Sequence, residues 1–125
     1  MKIGDTFDLS IHEKHLNTGV HEYMVWFDAK CELIPLSPRS TIQVNIVCEM
    51  PDFVKERDPR VTSGSLLACA LENIEKGVGH ALRHRSHGLK MDIHEFRIHP
   101  VDFQPSQFML HTYYYVRKML ESDES

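Results

Sequence analysis

Residues 90–108, KMDIHEFRIHPVDFQPSQF, hold the end of a strand, a turn and the start of a helix, and that succession decides the fold. Leu89, Met91 and Ile93 alternate with polar residues, the period-two signature of a strand buried on one face. The apolar phase then slips to Phe96 and Ile98, which predicts a bulge near His94 and Glu95. After the polar turn from His99 to Gln104, a helix is expected from Pro105 or Ser106. Phe108, Thr112, Tyr115, Val116 and Met119 share one helical face there.

Upstream of this stretch, Leu67, Ala70, Leu71, Ile74, Val78, Ala81 and Leu82 recur at three- and four-residue steps. That spacing predicts a helix starting near Ser63 or Ser65, with Arg83, His84 and Arg85 in its last turn and Gly88 as its stop. Gly77 and Gly79 inside it each cost about 0.8 to 1 kcal/mol relative to alanine, so a close approach of helix to sheet is expected at one of them at least. Three earlier segments alternate as strands: Thr6 to Ile11, Tyr23 to Cys31 and Thr41 to Glu49. Pro35 and Pro38 separate the last two, and a charged loop from Pro51 to Thr62 leads into the helix. The resulting order is β-β-β-α-β-α. It predicts an α+β two-layer sandwich, a four-stranded sheet with two helices on one face. Residues 1–125 are expected to form a single domain, with the acidic tail 121–125 fraying.

The composition, 42% hydrophobic and 26% charged, is that of a globular protein, and no apolar run approaches the roughly 18 residues a membrane span needs. The N-terminus lacks the apolar stretch of a secretory signal, and the three cysteines, Cys31, Cys48 and Cys69, show no metal or redox spacing. A cytoplasmic location with reduced thiols and no membrane partner is expected. The formal charge is −4, but five Lys/Arg against two acids between Lys76 and His99 give a local +3, so the remainder carries −7. Five of the nine histidines fall in the same window. One region is electrostatically unlike the rest.

No nucleotide-binding glycine loop, H-E-x-x-H metal motif or G-x-S-x-G elbow is present, so no cofactor and no catalytic constellation are expected. His80 and His84, four apart on a helix, are the weak alternative, a zinc-dependent hydrolase site; a basic helix end favoured by the dipole is the preferred explanation. His99 and Asp102 could form an acid–base pair, but the preferred reading has Asp102 satisfying turn or helix-start N–H groups while His99 stays exposed. Tyr115 is expected to face the core, with Tyr113 and Tyr114 in more polar surroundings. Trp26 and Met24 point to the sheet face opposite Tyr23 and Phe27.

Several local words, taken in order, resemble domain IV of elongation factor G, a β-β-β-α-β-α unit of the fold shared with a small-subunit ribosomal protein. They are Lys76-Gly77-Val78, Ala81-Leu82, Asp92-Ile93 and His99-Pro100-Val101-Asp102, with Gly19 and Tyr23 echoing the family's glycine-rich loop. The resemblance spans about residues 15 to 121. This chain departs from the pattern in keeping one glycine in that loop, in a linker shorter by about two residues before the fourth strand, and in about two additional residues (FQP) after Asp102. It carries no GTPase motif. The resemblance implies a non-catalytic domain whose two loop tips contact the ribosome or structured RNA, through His99, Arg97 and Asp102 at one tip and Gly19 and His21 at the other. The alternative is a protein-interaction or self-assembly module, using an exposed sheet edge or the Met24/Trp26 face to meet a protein partner or form a homo-oligomer without RNA.

Overall fold

A computed structural model describes residues 2–15, 23–36, 42–47, 63–83, 87–97 and 104–122. The elements follow the expected order: β1 (Thr6–His15), β2 (Tyr23–Pro35), β3 (Ile42–Ile46), α1 (Ser63–Ala81), β4 (His87–Arg97) and α2 (Pro105–Ser122). The strands form one mixed sheet in the order β1-β2-β4-β3. β1 and β4 both run antiparallel to β2, and β3 is parallel to β4.

The inward row of each strand matches its alternation. Phe7, Leu9 and Ile11 of β1, Val25, Phe27, Ala29, Cys31 and Leu33 of β2, and Leu89, Met91 and Ile93 of β4 are all buried. Ala70, Ile74 and Val78 of α1 and Phe108, Val116 and Leu120 of α2 close the core from the other side. Burial and the nearby carboxylates of Asp8 and Asp92 push the Cys31 thiol up to about 12, so this cysteine behaves as a small apolar core residue.

The phase slip in β4 is a bulge. Asp28 pairs with Glu95 while its neighbour Ala29 pairs with Ile93, so His94 is the additional residue. The bulge turns Phe96 inward, where its ring lies 6.1 Å from both Phe27 and Phe108, and turns Arg97 outward opposite Trp26.

Several boundaries differ from the sequence expectation. β1 continues four residues past Ile11, because the inward acid Glu13 accepts a hydrogen bond from the Tyr115 hydroxyl of α2. β2 runs on to Pro35, which ends the strand and so takes nothing from its ladder. The longer β2 pairs with β4 back to His87, so Gly88 is a buried strand residue opposite Ile34, and α1 stops at Ala81. Gly77 makes its close approach to the other helix. A Cβ there would lie 2.5 Å from the Met109 carbonyl and 2.9 Å from Thr112 Cβ, whereas at Gly79 it would meet only Ile42 of β3, at 3.4 Å. Tyr113 is half-buried at this crossing, and only Tyr114 of the three tyrosines is exposed.

The Tyr115–Glu13 bond ties α2 to an edge strand and, with burial, pushes the phenol up to about 12, since ionising it would set two anions together. Tyr115→Phe is expected to lower stability by about 1 kcal/mol, read as a lower urea midpoint at unchanged slope.

Candidate nucleic-acid interface

The helices cover one face of the sheet, and the opposite face carries the polar rows. On β1 these are Thr6, Asp8, Ser10, His12 and Lys14, all exposed. On β2 the outward row includes the half-buried Met24, Trp26 and Asp28. Register sets His12 opposite Trp26 on one side and Arg97 opposite it on the other.

The His12 ring stacks on Trp26 with centroids 4.1 Å apart and planes 7° from parallel. The Lys14 ammonium lies 4.7 Å from the indole centroid and the Arg97 guanidinium 5.6 Å from it. Both cations meet the negative face of a π system, where such contacts contribute about 0.5 to 1 kcal/mol at exposed sites. His12 Nε2 is also 3.0 Å from Asp28 Oδ1, and Arg97 is 3.2 Å from Glu95.

Burial on its own would raise the Asp28 carboxyl. Hydrogen bonds from Ser10 and His12, together with the nearby imidazoles of His12 and His94, outweigh it and hold Asp28 below the usual carboxylate range. Ser10, Asp28 and His12 therefore form a chain with the carboxylate in the middle. A nucleophilic serine needs the imidazole in that position, so this order activates no hydroxyl. The cluster is built to hold cations and an indole on an open surface.

The cluster lies at the end of the sheet where β1 finishes, β2 begins and β4 finishes, since His15 pairs with Tyr23 and Trp26 with Arg97. Of the residues expected at the loop tips, Arg97 is thus part of the cluster. His99, Asp102, Gly19 and His21 lie outside the described residues. The sequence expectation missed His12, Lys14 and Asp28. The signal that could have found them was the outward row of β1, which shares a face with Trp26 once the strand is continued past Ile11.

His80 is exposed at the end of α1, where Arg83 Nη2 approaches its Nδ1 at 3.5 Å and Tyr113 meets its ring edge-on at 6.5 Å. It borders a groove of about 480 Å³ between the helices, in which Arg117 is bound to both Glu121 and Tyr113. His84 lies outside the described residues, among which no group of three or more His, Cys, Asp or Glu side chains could hold a metal ion. No described helix is long and apolar enough to cross a membrane.

Compared with known proteins, the chain matches no family model and no curated protein. The class that the fold defines is an α+β two-layer sandwich with one face of its sheet uncovered by the helices.

Proposed function

We propose that this is a non-catalytic domain that binds structured RNA at the Trp26 end of its sheet, extending to the open face the loop-tip contacts that the resemblance to domain IV of elongation factor G implies, with a ribosomal surface as the natural class of target. The observation that carries this is Trp26 on the open face, flanked by His12, Lys14 and Arg97 where β4 leads toward His99. The indole can exchange its stacked His12 ring for an unpaired base, and guanidinium, ammonium and imidazole donors suit phosphate and 2′-OH oxygens. The hydrogen bond of His12 to Asp28 and the ion pair of Arg97 with Glu95 orient these groups without burying them. The formal charge of −4 argues against general coating of nucleic acid and favours a shaped RNA site.

Trp26 is the sole tryptophan, so its fluorescence reports the site directly. Titration with a stem-loop RNA should quench it, with affinity falling as salt rises and rising below about pH 6.5, where imidazoles ordinarily gain charge. Arg97→Ala and His99→Ala should each weaken binding. Affinity indifferent to salt and to both substitutions would reject RNA as the ligand.

Acidification also acts on the fold, in the opposite direction. Burial holds the His111 imidazole below its ordinary value of 6.5, with Glu13 offsetting part of the effect. The unfolded chain therefore takes up a proton that the folded chain resists, and the His111 contribution is lost as pH falls from 6.5 through the lower folded value. Asp28, also lowered, gives up its contribution only below its ordinary 3.8. Denaturation at pH 7.5 and pH 5 should show a smaller loss for His111→Gln than for the parent chain.

A further inference from the structure

β1 is an edge strand whose protections, among the described residues, are the charges of Asp8, Glu13 and Lys14 and a bulge at Gly4, ahead of its first residue. It is ten residues long, contains no proline, and keeps an unbroken register with β2 along its whole length. The opposite edge, β3, is five residues long. The direction of β1's backbone groups follows from its first turn. Leu33 N–H donates to the Asp5 carbonyl and Gly4 N–H to the Leu33 carbonyl, with Gly4 at φ 95°, a bulge that sets residue 5 as a hydrogen-bonded partner of β2. Alternation then turns Phe7, Leu9, Ile11 and Glu13 toward β2 and sends the N–H and C=O groups of Thr6, Asp8, Ser10, His12 and Lys14 out along the free edge. Among the described residues no backbone group bonds to that edge.

We propose that β1 pairs antiparallel with β1 of a second copy of this chain, about a two-fold axis at Ser10, joining two four-stranded sheets into one. Charge selects both the partner and the direction. The outward row is acidic early, at Asp8, and basic late, at His12 and Lys14. Antiparallel self-pairing centred on Ser10 sets Asp8 of each copy opposite His12 of the other and diagonal to its Lys14, twice over by symmetry. Parallel pairing in register would set like against like. The same register sets Thr6 opposite Lys14 and, on the helix side, Leu9 opposite Ile11 at the centre, with Phe7 opposite Glu13 further out. A shift by one residue would send inward residues to the open face. Nothing in this assembly depends on RNA binding.

Sedimentation equilibrium of the full chain without RNA tests it, across micromolar to millimolar concentration. A monomer–dimer equilibrium is expected. Ser10→Pro removes an outward N–H at the axis while sparing the backbone bonds to β2, at the cost of the hydroxyl that bonds Asp28, and should weaken the dimer by about tenfold or more. His12→Glu alone should weaken it by setting like charges opposite one another in two places, and Asp8→Arg alone by removing the acceptor that faces His12 and setting a cation diagonal to Lys14 of the other copy, twice over. Mixing those two variants should restore a heterodimer, in which the introduced arginine of one copy faces the introduced glutamate of the other, while the unaltered His12 of the first faces the unaltered Asp8 of the second. Circular dichroism identifies a variant that fails to fold, and the mixing experiment decides if Ser10→Pro is one. A chain monomeric at every concentration would overturn the proposal, leaving β1 to a strand of another protein. So would a dimer indifferent to Ser10→Pro, or one not restored by mixing.

Discussion

Gly77→Ala should destabilise the protein by about 2 kcal/mol or more, although alanine is the better helix former by about 1 kcal/mol. The new methyl carbon would sit 2.5 Å from the Met109 carbonyl oxygen and 3.1 Å from the Tyr113 backbone nitrogen. Neither is the end of a flexible side chain, so relief requires α2 to move away from α1. That movement would loosen Phe108, which stacks on Phe96 from the helix layer. Gly79→Ala is the control with the opposite sign. Its methyl would meet only the Ile42 Cδ1 atom at 3.4 Å, an end that can yield, so the helix gain should survive as a rise of up to about 1 kcal/mol. Thermal melts separate the two, at about 4 °C per kcal/mol for a chain of this size. Equal effects of the two substitutions would mean that the helices do not cross at Gly77.

Trp26→Ala should lower affinity for a structured RNA by about tenfold to a hundredfold, the range expected on losing one base stack worth about 1 to 3 kcal/mol. The loss should exceed any change in stability, because Trp26 is only half-buried and lies outside the buried core cluster. Part of the effect is indirect. Without the indole, His12 loses its stacking partner and Lys14 and Arg97 lose the surface that gathers them. Trp26→Phe retains an aromatic face and should recover much of the affinity. Lys14→Ala should instead reduce the steepness of the salt dependence by about one ion, measured as the slope of log affinity against log salt. Filter binding across a salt series distinguishes them. RNA affinity unchanged in Trp26→Ala would sink the assignment of this face to RNA.

The interface and the edge make separable demands on β1. The side chains of His12 and Lys14 serve both, facing RNA in one and Asp8 of a second copy in the other, while the backbone groups along the edge serve self-pairing alone. Ser10→Pro acts on the edge and Trp26→Ala on the face. The first should change the mass of the particle, and the second its RNA affinity.

Period-two and helical spacing alone identified all six elements and their order, because a half-buried strand or helix must repeat its apolar residues at the period of its own geometry. The bulge in β4 was also legible, since the slip from Ile93 to Phe96 admits no regular strand. Boundaries were less legible wherever a polar residue took an inward position. Glu13 reads as the end of an apolar alternation until Tyr115 supplies its partner from a residue 102 positions away.

What sequence by itself determined is therefore the local chemistry: which residues face in, which elements they form, and that Gly77 or Gly79 must stand where something comes close. What only the tertiary structure decided is adjacency. The order β1-β2-β4-β3 brings Arg97 and His12 to opposite sides of one indole and leaves β1 at the edge, and α2, with no glycine of its own, is what Gly77 admits. Adjacency escapes a sequence pattern because periodicity records the burial of a face, and burial is the same whichever neighbour provides it.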